Sequence, residues 1–276
     1  MSLHIVRHEP FAWKNTRLSY VQYGDGQRVL LAFHGFGQNK NAWLSVAQAL
    51  GNEYCIYSFD LFFHGESIWP NSDEPIEKQD VKNIFEAFLQ EKQIQQFGVM
   101  GFSLGAKIAL CLAELFPTRL NQLILAAPDG LHINFWYRLA TGSQLMRYIF
   151  KSLISNPDFF LNMVHWLGKA RLVNKKLLQF ALSQMHNPEK RRQVYYSWCA
   201  FRKLTPNVEL IAANCNQRKI MTVLFVGIAD NVIPHKKIKN KLKSIEYKKI
   251  NILEANHVNL LQKVSEYYKH NLIQSL

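Results

Sequence analysis

Short, nearly continuous apolar runs recur along the chain. Residues 29–33 (Val-Leu-Leu-Ala-Phe), 54–59 (Tyr-Cys-Ile-Tyr-Ser-Phe), 97–100 (Phe-Gly-Val-Met), 120–126 and 221–226 (Met-Thr-Val-Leu-Phe-Val) are the clearest. A run of this kind suits a strand covered on both faces, as in a parallel sheet, better than a strand with one wet face. Residues 17–23 alternate enough to be a further strand and close on the turn signal Gly24-Asp25-Gly26. A last strand is expected near 247–253. Between the runs the spacing becomes helical. Trp43, Val46, Ala47 and Leu50 share one stripe of residues 41–50, and Val81, Ile84, Phe85, Phe88 and Leu89 share one stripe of residues 76–93. Helices are also expected from Ser103 to about Phe116 and from about Asn259 to Ile273. Strands alternating with helices predict an α/β fold with a doubly wound, mostly parallel sheet.

From 131 to 205 that rhythm stops. Helical patterns rich in aromatics and Lys/Arg take over, with breaks at Asn156-Pro157 and Asn187-Pro188. The expected organisation is a core of residues 1–130 and 206–276 with an all-helical insertion at 131–205.

Composition permits this. Hydrophobic residues make up 48% of the 276 and charged residues 19%, so a sizeable core can form and general disorder is excluded. Cys55, Cys111, Cys199 and Cys215 have no metal spacing and read as buried thiols of a reducing compartment. The N-terminal pattern is not that of a signal peptide, and no run of 18 apolar residues appears; a cytoplasmic, soluble chain is the expectation. The net charge of +13 is uneven: residues 1–130 carry 10 Lys/Arg against 13 Asp/Glu, residues 131–219 carry 14 against 3, and residues 220–276 carry 9 against 4. The basic stretch is a solvated face, an attractor of anionic substrates, or a patch for an anionic membrane surface. No nucleic-acid recognition motif accompanies it, so no nucleic-acid partner is expected.

The chemistry gathers where the strands end. Ligands bind at the carboxyl edge of such sheets, and His34, Asp60, Ser103, Asp129, Asp230 and His257 each follow a predicted strand. Ser103 lies in Gly101-Phe-Ser-Leu-Gly105, between an apolar run and a helix. Glycines two residues before and after the serine remove the Cβ atoms that a sharp strand-to-helix turn would crowd. A serine hydroxyl needs a base, and the base needs an acid to fix its tautomer; Ser103, Asp230 and His257 supply the three types in that order. Asp129 is the rival acid, in a Pro-Asp-Gly context that also reads as a turn. Asp230 in turn has an alternative as a turn residue or helix cap. For a tetrahedral oxyanion, the candidate donors are the backbone N–H groups of Leu104, first in the helix, and of Phe36, in the loop His34-Gly-Phe-Gly37. His34 reads as the organiser of that loop rather than a base.

Taken together, His34-Gly-Phe-Gly37, Asp60…His64-Gly-x-Ser67, Gly101-Phe-Ser-Leu-Gly105, Gly227…Asp230 and Asn256-His257 resemble the α/β-hydrolase fold family in order and spacing, over about residues 17–130 and 206–273. The resemblance implies a Ser103–His257–Asp230 triad, an oxyanion hole from the Phe36 and Leu104 amides, and a helical cap at 131–205 roofing the site. It implies no metal and no cofactor. The cap aromatics, Trp136 among them, are either packing or an apolar pocket; His34, Phe102, Phe63 and Trp136 are the pocket candidates. Two departures stand out: Phe62-Phe63 replace the family's usual Pro-Gly, and Ala106 stands where a third glycine is common. A serine nucleophile separates the chain from the branches that use aspartate. The expected function is a serine hydrolase cleaving a carboxylic ester, possibly lipid-like, through an acyl-enzyme. The alternatives are a thioesterase, a C–C bond hydrolase or a lyase on the same fold, and, in another class, a non-catalytic binding protein with a broken triad. The expected partner is a small-molecule ester or acyl substrate, with weak contact between the basic cap and an anionic membrane surface as a further expectation.

Overall fold

The computed structural model describes residues 3–50, 53–70, 74–131, 135–156 and 187–273. By contacts the chain forms two units. The first comprises Met1–Pro70, Glu77–His132 and Leu204–Leu276; the second comprises Asn71–Ile76 and Ile133–Lys203.

The first unit is built on an eight-stranded sheet. Its strands are β1 (Ile5–Arg7), β4 (Tyr20–Tyr23), β5 (Arg28–Phe33), β6 (Tyr54–Phe59), β7 (Phe97–Phe102), β8 (Leu120–Ala126), β9 (Met221–Gly227) and β10 (Lys248–Leu253), in the spatial order β1-β4-β6-β5-β7-β8-β9-β10. The six strands from β6 to β10 in that order run parallel, and β4 and β1 add antiparallel pairings at one edge. Register aligns the strand ends: Phe33 lies opposite both Phe59 and Gly101, Phe102 opposite Ala126, and Ala126 opposite Phe225. Residues that follow these strands therefore emerge along one edge.

Alternate residues of each strand serve two layers. Leu30, Ala32, Met100, Phe102, Ile124 and Phe225 join one buried cluster with Trp43, Val46 and Leu50, and with Leu260 and Val264. The last two belong to α9 (Leu260–Ile273), which packs on α1 (Leu44–Leu50). Phe33 and Phe59 turn the other way, each 5.4 Å from Phe85 and edge-on to it, with Phe59 also 5.0 Å from Phe88. These two phenylalanines come from the apolar stripe of α2 (Lys78–Glu91), which packs on α3 (Leu104–Leu115), and α3 on α7 (Val208–Gln217). Burial on both faces is why the strands read as continuous apolar runs.

The expected strand at 17–23 is two strands. β3 (Thr16–Leu18) pairs with β2 (Phe11–Trp13) in a separate two-stranded sheet, and β4 joins the main one. The chain breaks at Ser19, whose N–H donates to Ser67 Oγ at 2.9 Å and whose carbonyl accepts from Asp60 N–H at 2.9 Å. β1 and β2 are three residues each, too short for periodicity to announce.

The described part of the second unit is helical: α4 (Phe135–Gly142), α5 (Gln144–Ser155), α6 (Pro188–Ala200) and a 3-10 turn at Phe201–Lys203. Phe150, Leu153 and Ile154 of α5 and Val194, Tyr195 and Cys199 of α6 are buried, and the Phe150 ring sits 5.4 Å from that of Tyr195. The sequence break at Asn187-Pro188 is a helix start. Asn187 caps α6 by accepting from Lys190 N–H at 2.6 Å, and Pro188 takes the first turn, where its missing N–H costs nothing. Ile76 N–H donates to Ala200 O at 2.8 Å, which ties Ile76 to this unit. Phe159, Phe160, Trp166, Phe180 and the side chains of Phe135 and Trp136 lie outside the described residues. All four cysteines are buried and free. No described helix is long and apolar enough to cross a membrane.

Candidate active site

Between β7 and α3 the backbone turns at Ser103, with φ 49° and ψ −118°. That conformation is rare for a residue bearing a Cβ and is held by its surroundings. Ser103 N–H donates to Ala126 O at 3.0 Å, and Ser103 O accepts from the N–H groups of Ala106 and Asp129 at 3.0 and 3.1 Å. The flanking glycines are steric requirements. A Cβ on Gly101 would stand 2.5 Å from Ala106 Cα, and one on Gly105 would stand 2.2 Å from Phe33 O. The helix thus approaches the sheet closely, and the serine is raised at the strand edge.

Two more loops deliver the base and the acid. His257 follows β10 and Asp230 follows β9. The loops are tied together by Ile228 N–H to Leu253 O at 2.9 Å and Ala229 N–H to Ala255 O at 3.0 Å. Gly227 permits this, since a Cβ there would stand 2.4 Å from Ala255 O. His257 Nδ1–H donates to Asp230 Oδ2 at 2.7 Å, and Ser103 Oγ–H donates to His257 Nε2 at 3.0 Å. The Asp230 side chain is fully buried, and that of His257 is 15% exposed. Asp230 Oδ1 is occupied by the N–H groups of Val232 and Ile233, both at 2.9 Å, so the carboxylate is oriented and one oxygen is left for the imidazole. The cap-like role and the imidazole contact anticipated as alternatives are both present in this one side chain. Asp129 is engaged elsewhere: its Oδ1 accepts Gly130 N–H at 2.7 Å. Phe102 is buried with its ring 5.0 Å from that of His257, so it backs the imidazole.

Leu104 opens α3, where the first amides have no carbonyl partner within the helix. Phe36 is half-buried in the loop after β5. That loop is fixed from beneath. His34 is fully buried, donates Nδ1–H to Gly35 O at 2.7 Å and accepts Leu61 N–H on Nε2 at 3.0 Å. It joins two loops and has no ring nitrogen left for a ligand, which removes it from the pocket candidates. His64 donates Nδ1–H to Phe62 O at 3.1 Å and meets the Phe36 ring edge-on at 5.2 Å. Burial pushes His34 down to about 3, helped by neighbouring His64, and burial pushes His64 down to about 4. Both rings are neutral at ordinary pH.

Asp60 is the residue whose part the sequence did not disclose. It is 1% exposed; Oδ1 accepts Lys40 N–H at 2.6 Å and Oδ2 accepts Glu66 N–H at 3.0 Å. Lys40 Nζ adds contacts to Ser19 Oγ at 2.7 Å and to Glu66. One carboxylate therefore binds the Phe36 loop to the 60–67 loop. Its position after a predicted strand was the signal; the partners are contributed by distant loops. In the same loop Phe62 is buried against Trp69 at 5.3 Å, while Phe63 takes φ 64° where the family pattern has glycine. Phe62 repacks the loop, and Phe63 is half-buried. Among the described residues no group of three or more His, Cys, Asp or Glu is placed to hold a metal ion.

A doubly wound sheet with a serine elbow, and with an acid and a histidine from the next strand ends, defines a class, and the comparisons agree. The model of the family described as alpha/beta hydrolase fold matches residues 28–276, so the chain belongs to that family. It is similar in structure to a thermophilic esterase from Thermogutta terrifontis, with a TM-score of 0.69, 16% identity and 98% of each chain covered. It is also similar to the thioesterase domain from the curacin biosynthetic pathway, with a TM-score of 0.61, 16% identity, and 99% of this chain and 100% of that one covered. In sequence it is 31% identical over 128 residues to an uncharacterized protein of Mycobacterium tuberculosis, a match covering 45% of this chain and 37% of the relative. The match thus spans little more than a third of that relative's length.

Proposed function

We propose that this chain is a serine hydrolase that cleaves a carboxylic ester through an acyl-enzyme. The observation that carries the reading is the continuous relay from Asp230 Oδ2 through His257 to Ser103 Oγ, with links of 2.7 and 3.0 Å. Ser103 Oγ attacks the ester carbonyl while His257 Nε2 takes its proton. The imidazolium is held by Asp230, whose other oxygen is pinned by two backbone amides. The carbonyl oxygen becomes an oxyanion facing the Leu104 and Phe36 amides, where each donor contributes on the order of 2.7–4 kcal/mol. Collapse breaks the bond to the alcohol oxygen, and His257 returns its proton to that leaving group. Water then attacks the acyl-enzyme with His257 as base and releases the acid.

A thioester is the second substrate class, since the same attack expels a thiol and the structural likenesses include a thioesterase domain as well as an esterase. A non-catalytic binding role requires a broken relay, and the hydrogen-bonded side chains argue against it. Purified protein is expected to hydrolyse short p-nitrophenyl esters and to be labelled by a fluorophosphonate. Ser103→Ala abolishes both, and Asp230→Asn lowers kcat by about 10³–10⁴ through loss of the correct tautomer. Turnover that survives Ser103→Ala, or wild-type protein that neither turns over nor labels, overturns the reading.

A further inference from the structure

The apolar side chains of helix α5 are only partly buried. Phe150, Leu153 and Ile154 are buried, packing toward α6. Leu145, Tyr148 and Ile149, at i, i+3 and i+4, are 63%, 72% and 41% exposed; Leu139 of α4 is 44% exposed. A helix that merely bounded a small packed unit would place polar side chains at those positions.

The charge on the described helices of this unit is almost all of one sign. Residues 135–156 and 187–203 hold eight Lys/Arg and a single acid, Glu189. On α5, Arg147 donates Nη1–H to Thr141 O at 2.9 Å, and Lys151 Nζ lies 5.8 Å from the centre of the Tyr195 ring. Arg191 Nε donates to Ile154 O at 3.0 Å, which brings the basic first turn of α6 to the end of α5, and Lys190 and Arg192 beside it are exposed, as is Arg138 on α4. Exposed apolar side chains and a tyrosine on a helix, in a unit whose described residues are rich in exposed cations and almost free of acids, are the pattern of a helix lying in a membrane interface: side chains enter the headgroup layer and the cations meet anionic lipid.

We propose that the exposed apolar side chains of α5, with the basic residues of α4 and α6, dock on an anionic phospholipid surface. A bilayer fits better than a second copy of the chain, because two such sets of side chains brought together oppose like charges across the contact. The proposal rests on the second unit alone and is independent of the reaction proposed above.

The test is sedimentation of full-length protein with vesicles of phosphatidylcholine and phosphatidylglycerol, against vesicles of phosphatidylcholine alone, at low and high salt. The wild type is expected to bind the anionic vesicles at least about tenfold more tightly than the neutral ones, and less so as salt rises. Leu145→Ser with Tyr148→Ser, and separately Arg138→Gln with Lys190→Gln and Arg192→Gln, are each expected to lower that binding about tenfold. All these side chains are exposed, so circular dichroism and thermal unfolding should be unchanged. Failure of the wild type to sediment with anionic vesicles overturns the proposal, as does binding that survives the Leu145/Tyr148 change. So does a wild-type dimer in light scattering that the same change converts to monomer, which would assign these side chains to self-association. Hydrolysis of a soluble ester serves as the separate readout: its loss in the wild type counts against the catalytic reading only.

Discussion

Ser103 is placed by a backbone conformation that its own side chain resists. At φ 49° and ψ −118° a residue with a Cβ carries strain of about 1–3 kcal/mol, while glycine enters the region freely. Ser103→Ala and Ser103→Gly both delete the hydroxyl, so they differ mainly in this strain. The glycine variant is expected to be the more stable by about 1 kcal/mol in urea unfolding, after allowance for the greater freedom of its unfolded chain. Equal stability of the two would show that the turn is unstrained. Asp230 shows the same economy at another residue. One oxygen holds the histidine and the other holds its own loop, so the carboxylate cannot swing away from the imidazole.

Among the elements, the contact between α3 and the strands is set by glycines that the sequence displays and the structure explains. Gly105 has Phe33 O and His34 O where a Cβ would go, at 2.2 and 2.4 Å, and both are backbone atoms that cannot rotate aside. Gly105→Ala is therefore expected to force the helix off the sheet, lowering stability by at least about 2 kcal/mol and removing ester turnover, since the helix start and Ser103 move together. Gly142, at the end of α4, has nothing within 4 Å of its would-be Cβ. Gly142→Ala is expected to raise stability by about 0.4–1 kcal/mol with activity unchanged. Thermal unfolding of the pair checks both; a harmless Gly105→Ala would contradict the close approach.

For the whole molecule, burial of His34 and His64 links folding to pH. Their folded pKa values, about 3 and about 4, lie below the ordinary 6.5. The unfolded chain takes up protons below pH 6.5 that the native state excludes. The stabilisation is complete above that pH and is lost as pH falls from 6.5 toward 4 and then 3. At pH 5 the loss is about 2 kcal/mol for each histidine. Urea unfolding at pH 7 and pH 5 measures it. His64→Gln keeps a donor for Phe62 O and does not titrate, so its stability is expected to fall about 2 kcal/mol less than that of the wild type. An identical fall in both proteins would remove His64 from the account. The acids that also titrate in this range are common to the two proteins and cancel in the comparison.

The sequence by itself determined the strands of the main sheet from β5 onward, the helices α1 to α3 and α9, and the serine turn. These features are local in origin: a strand buried on both faces must be apolar throughout, a helix against a sheet must be striped, and a sharp turn must have glycines beside it. The sequence also named Ser103, Asp230 and His257, but with Asp129 open as the acid. Only the tertiary structure shows that Asp230, and not Asp129, meets the imidazole, because that contact depends on β9 and β10 ending beside β7 in register, which no local pattern records. The same holds for the split of residues 17–23 at Ser19, whose bonding partners come from the 60–67 loop, and for His34, whose burial removes it from ligand contact. It holds for Asp60, whose two oxygens join loops that are separate in the chain. Periodicity reports which face of an element is buried. The partner of a polar side chain is set by where the strand ends converge.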